Sequence, residues 1–177
     1  GYTVPSADTT LYAIWTKARV LVDNAYYTFS ITDRANKTCR LDQVVMTERG
    51  ALVVPNTLLG YTITTMKDGA YGTSGEYVGV FVPSRDYMTS IDLSNLTSLT
   101  NIGAYAFFST KITSITIPST VTTLGRGAFW FATLAGTVNI PASVTQMTGA
   151  FASNSSLTAF TVANGNSAYR VINNSVY

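Results

Sequence analysis

The groups in this chain that could do chemistry are nine carboxylates, one thiol and no imidazole. The carboxylates are Asp8, Asp23, Asp33, Asp42, Glu48, Asp68, Glu76, Asp86 and Asp92. Hydrolysis of a glycosidic bond needs two of them facing each other across the scissile bond. Here all but Asp92 precede the most regular part of the sequence. Most sit at turn-like positions, where Asp is favoured because its side chain bonds its own backbone. Asp23 and Asp33 lack the alternating acidic spacing of a calcium loop, and Lys67-Asp68-Gly69 reads as a turn. The absence of histidine removes Ser-His-Asp and Cys-His catalysis and the usual His-containing zinc sites. Cys39 stands alone, so the chain has no internal disulfide, and it reads as a small buried hydrophobe. No glycine-rich phosphate cradle precedes a helix. The sequence predicts no enzyme: no catalytic residue, no metal and no cofactor.

Charge excludes a further class. Eleven basic and nine acidic residues leave a net charge of +2, and from residue 88 onward the charged residues are Asp92, Lys111, Arg126 and Arg170. Without a basic stripe there is no nucleic-acid footprint. The 46% hydrophobic content fits a folded chain. No apolar run approaches the roughly 20 residues that cross a bilayer, so no membrane insertion is expected within this chain. The polar surface must come mostly from Thr, Ser and Asn, a composition associated with secreted proteins. Asn36, Asn95, Asn154 and Asn173 each match the N-glycosylation acceptor pattern, as chance allows in so Asn- and Thr-rich a chain.

Among the elements that carry these residues the dominant signal is a repeat. The stretches "GALVVP", "TSIDLS", "TSITIP", "GTVNIP" and "TAFTVA" begin at residues 50, 89, 113, 136 and 158, giving steps of 39, 24, 23 and 22. An Ala-aromatic pair recurs as Ala70-Tyr71, Ala106-Phe107, Ala128-Phe129 and Ala150-Phe151, with steps of 36, 22 and 22. Two independent marks with one period predict a stack of similar coils, because a single coil cannot bury its apolar side without a neighbour.

One unit can be read in physical terms. In "TSITIP", Ile115 and Ile117 alternate with Ser114 and Thr116, the period of a strand with one buried face. Pro118 has no N–H to extend a ladder and ends it. Val121 and Leu124 point inward, Gly125 permits a bend, and Ala128-Phe129 returns the chain with the ring filling the interior. The copy before it uses Ile91, Leu93, Leu96, Leu99 and Ile102, and the copy after it Val138, Ile140, Val144 and Met147. The five strands are expected to lie parallel in one short sheet.

The pattern I-x-I-P-x-x-V-x-x-L-G-x-x-A-F resembles the BspA-type (Treponema-type) leucine-rich repeat of bacterial surface and secreted proteins. The resemblance covers about residues 50–165, and its specificity lies in the proline-to-Ala-Phe spacing. "VPNTLLGYTITTMKDGAY" (54–71) is similar to the family's first repeat. The cysteine that often follows Ala-Phe in the family is missing, since those places read "FST", "WFAT" and "ASN". The fold implied is mainly β: a leucine-rich repeat solenoid with a short parallel sheet, irregular or short helical outer turns, and an N-terminal antiparallel β cap.

Three regions are expected. Residues 1–17, "GYTVPSADTTLYAIWTK", resemble the tail of an internalin B-type (Listeria–Bacteroides) repeat, with a sealing strand as the alternative. Residues 18–47 read as an N-terminal β cap of two or three antiparallel strands, with turns at Asp23-Asn24 and around Arg34–Asn36. Such a cap covers the first coil's apolar end and strand edge. Residues 48–177 hold the repeats, with an extra strand or longer coil inserted over 72–88. Near the end, Asn173-Asn174 predicts a hairpin turn. No polar C-terminal cap is visible, so the array is expected to be truncated.

Two surfaces could bind. The outward strand positions Ser90, Asp92, Ser114, Thr116, Thr137, Asn139 and Thr161 form a row of small polar groups. Phe108, Trp130 and Phe131, just after the Ala-Phe pairs, form an aromatic alternative. The resemblance implies a non-enzymatic extracellular interaction module of a bacterial cell-surface or secreted protein, adhesin-like towards host or matrix proteins. Its partner would be an extracellular protein or glycan. The alternative is a structural spacer displaying another domain of a longer surface protein. Oligomeric state is not legible.

Overall fold

The computed structural model describes residues 17–73, 75–172 and 175–176. The stretch resembling an internalin-type repeat lies outside the described residues, except for Lys17. Three antiparallel strands open the fold: β1 (Lys17–Val22), β2 (Ala25–Asp33) and β3 (Thr38–Met46). Their turns fall where the sequence places them. Asp23 takes a left-handed φ of +49°, a conformation short polar side chains tolerate. At the second turn, the Asn36 backbone N–H donates to Asp33 Oδ1 at 3.0 Å. The alternation is visible in what is buried, Ala25, Tyr27 and Phe29 on β2 and Cys39, Leu41, Val44 and Met46 on β3. Register jumps from Thr28 opposite Gln43 to Phe29 opposite Leu41, so Asp42 is the extra residue of a bulge. Its buried carboxylate accepts from Ser30 Oγ at 2.5 Å and Arg40 Nε at 2.7 Å.

The far edge of β3 begins a parallel ladder. It pairs with Tyr61–Met66, which is followed by Asn101–Ile102, Thr123–Leu124 and Gln146–Met147. These short strands carry Ile102, Leu124 and Met147, which the sequence places in turns. Threonine explains why two-residue strands hold. Thr100 donates both its N–H (2.8 Å) and its hydroxyl (3.1 Å) to the Thr64 carbonyl. Thr122 repeats both bonds, at the same distances, to Thr100. Much of the hydroxyl content thus ties coil to coil and does not only solvate the surface.

The expected five-stranded sheet is found in two pieces. Gly50–Val53 pairs with Met88–Asp92, and Ala135–Ile140 pairs with Ser156–Val162, both parallel. Between them, 113–118 keeps the alternation, with Ile117 buried, but joins neither ladder. Burial of Ile117 and one backbone bond, Ala135 N–H to Thr113 O at 3.0 Å, hold this segment in place.

Behind both ladders runs a file of phenylalanines. Phe81, Phe107, Phe129 and Phe151 have successive ring centroids 4.4, 4.9 and 5.0 Å apart, with planes 17°, 12° and 2° from parallel. Their backbones are joined too, Phe81 N–H to Ala106 O (2.9 Å), Phe107 N–H to Ala128 O (2.7 Å) and Phe129 N–H to Ala150 O (2.8 Å). The first member corrects the sequence reading. Ala70-Tyr71 is not the inward pair, because Tyr71 is 63% exposed. That place belongs to Val80-Phe81, inside the 72–88 insertion. The insertion does supply an extra strand, Tyr77–Val78, which pairs antiparallel with Ala70–Tyr71. A 3₁₀ turn follows at Val82–Ser84. Buried Ser84 Oγ donates to Val44 O and accepts from Met46 N–H, both at 2.9 Å, pinning the insertion to β3.

The outer turns are irregular, with i to i+3 bonds such as Ala106 N–H to Gly103 O, and no α-helix occurs among the described residues. Each carries two left-handed corners: Tyr105, Gly127 and Gly149 at one, Ser109, Phe131 and Ser153 at the other, with φ between +53° and +59°. Gly125 serves close approach more than bending, since a Cβ there would collide with the Ala104 backbone nitrogen. After the last ladder strand, side chains take over as acceptors' partners. Asn166 Nδ2 donates to Pro141 O (2.8 Å) and Val144 O (3.0 Å), and Tyr169 O–H donates to Met147 O (3.2 Å). These bonds span 22 to 25 positions and leave no local mark in the sequence. Val171–Ile172 and Ser175–Val176 form a hairpin whose turn, Asn173-Asn174, lies outside the described residues.

Candidate interaction surface

Asp8 lies outside the described residues, and among the rest Asp33, Asp42, Asp68 and Asp92 are each held by hydrogen bonds. Asp33 accepts from the Asn36 N–H and side chain, which hold its carboxyl below the usual range. Asp92 is held low in the same way by the Ser94 N–H at 2.8 Å. Asp68 Oδ1 accepts from Ala104 N–H at 2.8 Å. Asp23 and Glu48 do converge, with Asn24, Thr47, Ala51 and Val53, on a shallow depression beside the first turn. That pairing leaves no mark in the sequence, because the two belong to different strand connections. Among the described residues no three His, Cys, Asp or Glu side chains gather to hold a metal. Cys39 is buried, its thiol within 3.5 Å of Tyr61 O, and burial, with Asp42 adding to it, pushes its pKa up to about 12. No helix among the described residues is long and apolar enough to cross a membrane.

The strand-face row is exposed throughout, at Ser90, Asp92, Ser114, Thr116, Thr137, Asn139 and Thr161. It is not one continuous row of ladder positions. Ser90 and Asp92 stand opposite Ala51 and Val53, and Asn139 stands opposite Thr161, whose hydroxyl donates to Asn139 Oδ1 at 3.0 Å. Ser114 and Thr116 lie on the unpaired segment between the two halves.

The outer turns bring the three sequence-derived aromatics together. Trp130 and Phe131 lie 5.4 Å apart and 17° from parallel, and Phe108 meets them at 6.1 Å each, at 82° and 83°. Three tyrosines complete the patch. Tyr77 stacks on Phe108 at 4.1 Å and touches Trp130 at 5.6 Å, Tyr105 lies 6.0 Å from Trp130, and Tyr71 meets Tyr77 edge-on at 4.9 Å. Tyr71 and Tyr77 sit on the inserted hairpin, so repeat spacing could not reveal them. Tyr105 is one corner before Ala106 and was legible only as part of a copy. Trp130 is half-buried and its Nε1–H donates to Ser153 Oγ at 3.1 Å.

Phe131 is the odd member. It occupies the left-handed corner held by Ser109 and Ser153 in neighbouring coils. A residue with Cβ pays about 1–2 kcal/mol for that conformation, and a bulky one there is an outlier. Burial does not compensate, since the side chain stays 52% exposed. On its other side, Phe131 walls a shallow groove floored by Phe151, Leu157 and Phe160 and rimmed by Ser153, Asn154 and Ser155. Asn154 is a structural residue despite its acceptor motif. Its Nδ2 donates to Phe129 O, Phe151 O and Ala152 O, and its Oδ1 accepts from Leu134 N–H.

Residues 80–176 match the family described as BspA type leucine rich repeat region, in six copies. Three solved structures are similar. One is a leucine-rich repeat protein from Eubacterium ventriosum, 18% identical with a TM-score of 0.45, over 85% of this chain and 45% of that one. Another is the pneumococcal vaccine antigen PcpA, 15% identical with a TM-score of 0.48, over 90% and 53%. The third is a leucine-rich cell surface protein from Faecalibacterium prausnitzii, 16% identical with a TM-score of 0.35, over 90% and 58%. The chain therefore spans about half the length of the first two. No curated protein matches it.

Proposed function

The chain belongs to the BspA-type leucine-rich repeat family, a bacterial repeat fold that serves in protein interaction, and from that premise we propose that it is an extracellular, adhesin-like module that binds host or matrix proteins. It is a non-enzymatic contact surface of a cell-surface or secreted protein. The observation that carries this reading is the contiguous patch of Tyr71, Tyr77, Tyr105, Phe108, Trp130 and Phe131 across successive outer turns. Tyr and Trp supply large contact area with a polar handle and dominate binding hot spots. The strained, exposed Phe131 fits such a role, as functional sites are where backbone strain is retained. The polar strand face at Ser90, Asp92, Ser114, Thr116, Thr137, Asn139 and Thr161 is the secondary contact.

The test is binding of the purified chain to immobilised matrix proteins and glycans, beside a folded Trp130→Ala, Phe131→Ala variant. Saturable capture by the wild type, lost in the variant, supports the aromatic surface. Capture retained by the variant moves the site to the strand face. Capture of nothing favours the spacer reading, for which the unbroken phenylalanine file and the threonine ties between coils supply the stiffness.

A further inference from the structure

We propose that Asn164-Gly165 is a site of spontaneous covalent modification, where deamidation releases the latch that closes the C-terminal edge of the ladder. It is the one Asn-Gly pair in the chain. The pair forms the middle of a turn closed by a single long bond, Asn166 N–H to Ala163 O at 3.2 Å, with Gly165 at φ +89°. Both residues are exposed. Among the described residues nothing bonds the Asn164 amide or the Gly165 N–H, and a Cβ on Gly165 would have no atom within 4 Å. Glycine puts no side chain beside its own nitrogen. That nitrogen can therefore reach the neighbouring amide carbon with little to displace.

The step needs no co-reactant but water. The Gly165 nitrogen gives up its proton and bonds to Asn164 Cγ, the Cγ–Nδ2 bond breaks, and ammonia leaves. Water then opens the cyclic imide. Hydrolysis at Cγ yields aspartate. Hydrolysis at the main-chain carbonyl yields isoaspartate, whose main chain runs through Cβ and Cγ and is one carbon longer. The extra carbon falls inside the turn that sets Asn166. Asn166 Nδ2 donates to Pro141 O and Val144 O, and its Oδ1 accepts from Ala168 N–H at 2.9 Å and Tyr169 N–H at 2.8 Å. One side chain thus fixes both the preceding coil and the stretch leading to Tyr169, whose hydroxyl holds Met147 O. A lengthened turn cannot close on Ala163 and keep Asn166 in all four bonds.

The chain carries its own contrast. Asp68-Gly69 is open by sequence to the same ring closure, with water as the leaving group, but the fold blocks it. Asp68 Oδ1 accepts from Ala104 N–H at 2.8 Å, Gly69 N–H donates to Ala104 O at 2.6 Å, and a Cβ on Gly69 would collide with Val78 O. Folding protects one pair and leaves the other free.

The experiment is ageing of the purified chain at neutral pH in heavy-oxygen water, folded and in urea, followed by peptide mapping, with Asn164→Gln as the variant that closes the ring poorly. Isoaspartate is read by protein isoaspartate methyltransferase labelling, and the latch by amide hydrogen exchange. In the folded chain Asn164 should convert before any other asparagine, with heavy oxygen and isoaspartate at that position. Asp68 should isomerise only in urea. Exchange at Ala168 and Tyr169 should become about tenfold faster in the aged wild type and stay unchanged in aged Asn164→Gln. Another asparagine converting first, Asp68 isomerising as fast in the fold as in urea, or unchanged exchange at Ala168 and Tyr169 once isoaspartate has formed would overturn the proposal.

Discussion

Phe81 stacks on Phe107 with centroids 4.4 Å apart and planes 17° from parallel, and so begins the aromatic file that Phe129 and Phe151 continue. The relationship settles which residue of the insertion is inside. Phe81→Ala should destabilise the fold by about 3–5 kcal/mol, the range for truncating a buried Phe. Tyr71→Ala should change it by no more than about 1 kcal/mol, because the ring is mostly exposed. Urea unfolding of the two variants checks the contrast, and equal losses would put Tyr71 back in the interior.

Adjacent phenylalanines should behave as differently. Phe129→Ala removes a ring stacked on both sides and should cost about 3–5 kcal/mol. Phe131→Gly loses contacts with Trp130 and Phe108 but also sheds the left-handed penalty at φ +54°. Those effects offset, and the net change should stay within about 1 kcal/mol. Thermal melts at one pH decide it.

Asn154 closes bonds to four backbone groups across neighbouring coils. Asn154→Ala should leave the N–H of buried Leu134 and the Phe151 carbonyl without their partner and destabilise by about 1–3 kcal/mol. Asn95→Ala, at an exposed turn, should stay within about 0.5 kcal/mol. If the two matched, the Asn154 network would contribute nothing.

Stability should fall in alkali. Burial raises the Cys39 thiol from 9.0 to about 12 and the Tyr27 hydroxyl from 10.0 to about 12. Both groups stay protonated in the fold while the unfolded chain releases their protons, so stability is complete below pH 9 and declines as pH rises towards 12. Cys39→Val should delay the onset from about pH 9 to about pH 10, where tyrosine begins to titrate. Melting temperature against pH reads this directly, and an unshifted onset would remove Cys39 from the linkage.

The repeat, its period and the antiparallel opening were legible because burial alternation leaves a periodic trace, as in Ile115 and Ile117 or Tyr27 and Phe29. The location of the continuous ladder was not. Ile102, Leu124 and Met147 sit in strands of two residues, too short for period-two reading, and held by threonine bonds that reach across 22 to 36 positions. Phe81 was hidden because its partner is Val80 where the other coils have alanine. Trp130 and Phe131 are legible as the apolar residues that follow the inward Ala128-Phe129 pair. Tyr77 joins them only because the inserted hairpin folds back, a long-range event with no local mark.

The corner at Phe131 has an implication for how such a chain can change. In Ala-Phe-Phe-Ser (106–109), Ala-Phe-Trp-Phe (128–131) and Ala-Phe-Ala-Ser (150–153), the first two letters are fixed and the last two vary. The fixed half faces the interior and the variable half faces out. Variation is thus kept apart from the architecture, two outward positions per coil, and those positions can change without rewriting the scaffold that displays them.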